Sequence, residues 1–152
     1  MTSLTWASAI YPDFQELMDT DIAGTTYRTW TEFKLGVDLK KANASIHDGA
    51  YTISYGGTPA LDFEVNSEMG YNHVVILSLG FRLNMMDTTR TDYNNAINDI
   101  ETIIKKRLTS STWGIGIDMI EFSRATPFNF PLGDQMYAVT EIEFRVRART
   151  TL

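Results

Sequence analysis

Imidazole chemistry requires a histidine beside a carboxylate, a hydroxyl or a metal, and this chain offers His47 and His73. Neither lies in an HxH, HExxH or histidine-carboxylate spacing, so both read as turn or surface residues, and His47-Asp48-Gly49 has the composition of a tight turn. Gly114-Ile115-Gly116 lacks the third glycine of a dinucleotide loop and follows a helical pattern rather than a strand. Neither a Walker lysine loop nor a GxSxG elbow is present. Asp13, Glu16, Asp19 and Asp21 are close in sequence, but a calcium loop needs alternating oxygen ligands, a central glycine and a closing glutamate. These four acids are expected on a solvated helix face. The chain has no cysteine, which excludes disulfides, thiolate zinc sites and thiol nucleophiles. Asn43-Ala44-Ser45 matches a glycosylation sequon, read as chance because the first residues lack the basic start and apolar stretch of a secretion signal. A pocket between helix and sheet would have Glu64, Asp118 and Arg124 to draw on, and no spacing joins them. The expectation is a protein that is not an enzyme, with no catalytic residue, no cofactor and no metal.

What remains is binding between proteins. Phe128, Phe130 and Leu132 sit around Pro127 and Pro131, a stiff segment whose apolar side chains either dock on a neighbour or fold back over the domain's own sheet. Further on, Glu141, Glu143, Arg145, Arg147 and Arg149 occupy one face of a strand. They can pair charges across a repeated subunit contact or with strands of their own sheet. The candidate subunit interface is therefore Phe128, Phe130, Leu132, Glu141, Glu143, Arg145 and Arg147. Trp6, Trp30 and Trp113 read as core or interface anchors rather than stacking platforms.

The elements that must position these residues follow from periodicity. From Thr91 to Leu108, Tyr93, Ala96, Ile97, Ile100, Ile103, Ile104 and Leu108 recur at helical spacing, with Asp92, Asn95, Asp99, Glu101 and Lys105 on the other face. Thr89 or Thr91 can cap this helix, and Lys105-Lys106-Arg107 sets positive charge at the negative end of its dipole. Strand alternation runs through Leu61, Phe63 and Val65, through Val75, Leu77, Leu79, Phe81 and Leu83, through Trp113, Ile115, Ile117 and Met119, and through Met136, Ala138, Ile142, Phe144, Val146 and Ala148. The strand from Val74 is apolar on both faces at its start, which predicts a central position. Tyr11 to Met18 fits a short helix, and Phe33, Leu35, Val37 and Leu39 alternate as a strand does. The proline-bearing run 123–134 favours a loop or a long hairpin arm. The fold class is thus α+β: an antiparallel or mixed sheet packed against one long amphipathic helix, with an extended loop or hairpin arm, in a single domain spanning 1–152.

Composition agrees. Of 152 residues, 43% are hydrophobic and 21% charged, in the range of soluble globular chains. No stretch approaches the roughly eighteen apolar residues of a spanning helix. The net charge of −6 opposes tight DNA binding, which needs a basic face against phosphates.

The order of elements carries a resemblance. Strands ending at Asn84 lead into the Thr91–Leu108 helix, then the Trp113 strand, a long loop, and the closing charged strand from Ala138 to Arg147. Over Ala60 to Arg149 this resembles the bacteriophage tail terminator family and related head-tail connection proteins. The resemblance implies a structural virion protein, synthesised in the host cytoplasm. It would form a hexameric ring at the head-proximal end of a tail tube, binding the tube on one face and the neck or connector on the other. DNA would pass through the lumen without specific binding. A tail tube, stopper or adaptor subunit of the same particle is the nearest alternative. A small-ligand-binding protein or enzyme with a helix-sheet pocket is the alternative of another class.

Overall fold

The computed structural model describes residues 6–33, 48–57, 61–65, 68–83, 90–109, 113, 116–132 and 134–151. Helix α1 (Tyr11–Glu16) is extended on both sides by π-helical turns, Trp6–Ile10 and Leu17–Asp21, and Pro12 near its start has no N–H to give to the preceding turn. Strands β1 (Thr31–Glu32), β2 (Ala50–Tyr55), β3 (Leu61–Val65) and β4 (Glu68–Arg82) follow. The long helix α2 (Thr91–Thr109) then leads to β5 (Ile117–Leu132) and β6 (Gln135–Thr151). The fold is α+β, with a mixed sheet in the order β1-β2-β4-β6-β5 and β3 also paired to β4. The β1–β2 pair is parallel and the other pairs are antiparallel.

Period-two alternation sets the two faces of this sheet. Val75, Leu77, Leu79 and Phe81 of β4 are buried, and the register brings Phe144, Ile142, Thr140 and Ala138 of β6 beside them. Ile10, Phe14 and Leu17 from the N-terminal helical run join this layer, as do Ala96, Ile100 and Ile103 from α2. The Phe14 and Phe144 rings lie 5.3 Å apart, centroid to centroid. Each large side chain so buried contributes about 1.5–3 kcal/mol relative to exposure, so the helices are held to one face. β4 is central, as its apolar start predicts.

Several expectations are corrected. The buried residues of α2 are Ala96, Asp99, Ile100, Ile103 and Arg107. The stripe is therefore interrupted by two charged groups, and Leu108, expected in it, is exposed. Asp99, expected outside, is buried, and Arg107 lies in the interior rather than at a solvated helix end. Asp13 is buried too, unlike the exposed Glu16, Asp19 and Asp21 of its cluster. His73 is no surface residue: it lies in β4 on the core side, 5% exposed. Of the predicted loop or arm, the hairpin arm is what forms, because β5 runs unbroken through Pro127 and Pro131 to Leu132. Its start is Ile117 rather than Trp113, with Gly116 entering at φ 89°, a left-handed angle that glycine adopts freely. Met136, expected on the core face, is exposed. The alternation through Leu35, Val37 and Leu39, together with His47, the sequon and Thr89, falls outside the described residues.

Candidate interaction surface

β5 and β6 form a hairpin, and β5 is the outer strand of the sheet. An outer strand needs backbone partners on one side only, which is where a strand tolerates proline. Pro127 and Pro131 pair with Thr140 and Met136. Irregularities between Ile117 and Met119 and between Phe122 and Arg124 each add a residue and sharpen the twist. The helices do not reach the far part of this strand, and residues 121–129 are exposed on both faces. Phe122 (40% exposed) points to the helix side, edge-on to Phe144 at 6.3 Å, whereas Phe128 (42%) and Met119 (40%) lie on the opposite face.

That opposite face is the charged one. Across β4, β6 and β5 its rows read Asn72-Arg147-Met119, Val74-Arg145-Glu121, Ile76-Glu143-Arg124, Ser78-Glu141-Thr126 and Gly80-Val139-Phe128. Arg124 meets Glu143 at 3.5 Å, and Arg149 meets Asp118 at 2.9 Å. With Arg124 71% exposed at its side chain, its pair contributes at most about 1 kcal/mol. Of the candidate interface residues, Phe128, Glu141, Glu143, Arg145 and Arg147 share this face. Phe130 and Leu132 are described by their place in the strand alone, opposite Tyr137 and Gln135. Glu64, Asp118 and Arg124 are not brought together. Asp118 and Arg124 each serve a separate ion pair on β5–β6, and Glu64 lies in β3, which pairs with the other edge of β4. Among the described residues no group of three or more histidine, aspartate or glutamate side chains could hold a metal.

The residues that sequence reasoning missed are interior. Asp99 accepts the Tyr27 N–H at 2.7 Å, the Arg28 N–H at 2.9 Å and the Trp30 indole N–H at 3.2 Å. It thereby clamps the segment after the N-terminal helix onto α2. Arg28, so held, donates to Asp48 at 3.0 Å, pairs with Asp92 at 2.8 Å and lies 5.2 Å from the Phe81 ring centre. Arg107 donates to Asp13 at 2.6 Å and lies 5.3 Å from the Phe14 ring centre. Burial lowers the Arg107 pKa, with Asp13, Asp21 and Glu16 acting in the other direction. A readable signal existed: Asp99 and Arg107 stand three and four residues from Ala96 and Ile103, on the same helical stripe.

A cleft of about 510 Å³ opens between the end of the N-terminal helical run and β1, with Asp19, Arg28, Trp30 and Glu32 in its walls. Tyrosines occupy its carboxylates. Tyr51 donates to Asp19 at 2.9 Å, and Tyr11 donates to Glu32 at 2.5 Å. The hydrogen bond to Glu32 above all, then burial, pushes the Tyr11 pKa up to about 12. Burial first, and then the bond to Asp19, raises that of Tyr51. Both hydroxyls stay protonated donors at neutral pH, which suits a fixed scaffold rather than acid-base exchange. No family model matches this chain, and no curated protein matches it closely enough to serve as a relative.

Proposed function

We propose that the chain is a structural virion subunit, a tail terminator or neck protein that closes into a hexameric ring at the head-proximal end of a phage tail tube. One observation carries this reading. The β5 arm is a continuous sixteen-residue strand, yet over residues 121–129 it is exposed on both faces, with an aromatic ring on each. A strand edge and paired apolar side chains left outside the domain's own layers form a surface that a neighbour covers. Closing a ring requires a heterologous contact, one patch of a subunit against a different patch of the next, and the Phe122 side of the arm supplies one half of such a contact. In this reading the net charge of −6 keeps DNA from adhering as it passes. A tail tube, stopper or adaptor subunit would use the same arm. The reading as a small-ligand binder rests on the 510 Å³ cleft, whose carboxylates are already engaged by tyrosines. Native mass spectrometry with negative-stain imaging tests the proposal. A closed six-copy ring supports it, whereas a monomer that takes up a metabolite overturns it.

A further inference from the structure

We propose that the charged face of β4, β6 and β5 pairs with the same face of a second copy of this chain. The two copies are related by a two-fold axis along the row Ile76-Glu143-Arg124. This contact is separate from the head-to-tail contact that a ring requires, and it does not depend on the virion reading.

The argument is positional. One row to one side of Glu143 lies Glu141, and one row to the other side lies Arg145. Two rows out lie Phe128 on one side and Met119 on the other. Rows are two residues apart, so each outer residue stands about 13 Å from the central row. A two-fold axis along that row leaves each strand above its own counterpart with its direction reversed. Glu141 then meets Arg145 of the second copy, Arg145 meets its Glu141, and Phe128 meets its Met119, the reciprocity of an isologous contact.

Ion pairs on this face join Arg124 to Glu143 and Arg149 to Asp118. Among the described residues, the groups brought together are two charges outside those ion pairs and two exposed apolar side chains. Glu141 and Arg145 take part in neither, although Glu121 stands across from Arg145. Met119 and Phe128 are both exposed apolar side chains. The central row is already neutral through the Arg124–Glu143 pair, and it sets half-buried Ile76 against its own copy. Charge also rejects the other face-to-face arrangement. An axis along β6 would lay Glu141 on Glu141 and Arg145 on Arg145, and such like-charge contacts suppress a pairing.

Because the chain has no cysteine, single introduced thiols report contacts between copies. Packed sheets stand about 10 Å apart, too far for a direct disulfide, so a short bis-maleimide serves as the linker. Phe128→Cys mixed with Met119→Cys should give a mixed cross-linked dimer, whereas either variant alone should give none. Sedimentation should show Glu141→Arg or Arg145→Glu weakening dimerisation by roughly tenfold or more, with the double exchange restoring it. Circular dichroism confirms that each variant stays folded. Dimers from Phe128→Cys alone, or single and double charge variants that associate like the parent, overturn the proposal. A six-copy native mass without the mixed cross-link leaves the ring and removes this face. A two-copy mass with the cross-link does the reverse. A strictly monomeric chain removes both.

Discussion

The Arg107 guanidinium and the Asp13 carboxylate meet at 2.6 Å inside the protein, tying the last turns of α2 to the N-terminal helix across ninety-four positions of sequence. Both residues are largely removed from water, at 1% and 8% exposure, and the buried Nε and Nη2 atoms of Arg107 have no hydrogen-bond partner among the described residues. Removing one member leaves the other charge uncompensated. Asp13→Ala should therefore cost roughly 3–5 kcal/mol, while Asp13→Leu combined with Arg107→Met should lie much nearer the parent. Urea denaturation of the three proteins checks this. A double variant no better than the single would show that the pair holds the helices by more than mutual neutralisation.

Asp99 satisfies three donors at once. Asp99→Ala should destabilise by on the order of 3 kcal/mol, because one buried indole N–H and two part-buried backbone N–H groups lose their acceptor. Hydrogen exchange should quicken first at Tyr27 and Arg28, and Trp30 fluorescence should shift as its indole is freed. Unchanged protection at those two amides would refute the clamp.

On the helix between these charges, Ile100 is 6% exposed and Glu101 is exposed. Ile100→Asp should unfold the protein, since an unpaired buried carboxylate costs an amount comparable with a marginal total of about 5–15 kcal/mol. Glu101→Lys should lie within about 0.5 kcal/mol of the parent. Equal melting temperatures for the two variants would contradict the phase of α2.

Burial holds the His73 pKa below its ordinary value. The unfolded chain then binds a proton that the folded chain does not. Stability is unaffected above about pH 6.5 and falls as pH drops from there toward the lowered folded value, levelling off below it. His73→Gln should flatten the stability profile over that window, read by thermal melts at a series of pH values. A parent whose melting temperature rises on acidification through the window would reverse the sign and refute this assignment.

Phe128 is 42% exposed on the arm, so Phe128→Ser should change monomer stability by less than about 1 kcal/mol. If it anchors a second copy, the same change should weaken association by roughly thirtyfold. Melting and sedimentation on one sample separate the two effects. A large loss of melting temperature with association intact would mean that the ring covers its own domain.

Features legible in the sequence were those that depend on near neighbours. The alternation of Val75, Leu77, Leu79 and Phe81 places one set of side chains on one face whatever the sheet pairs with. The span of α2 likewise follows from residues within a turn or two of each other. The charged face of β6 was readable for the same reason. For Phe128 the sequence left two outcomes open, docking on a neighbour or folding back over its own sheet, and the structure leaves its ring 42% exposed.

Tertiary structure decided which exceptions to polarity are buried. Asp13, Asp99 and Arg107 look like surface residues by type, and each becomes interior because a partner distant in sequence satisfies it: Arg107 for Asp13, and the Tyr27, Arg28 and Trp30 donors for Asp99. Local pattern cannot supply such a partner, since burying a charge is favourable only once the fold has set its counter-group beside it. Register was settled in the same way. The sequence by itself placed Glu141, Glu143 and Arg145 on one side of a strand. Pairing with β5 then joined Glu143 to Arg124 and left Glu141 and Arg145 without an ion pair among the described residues, because register depends on how whole strands align rather than on the residues next to any one of them.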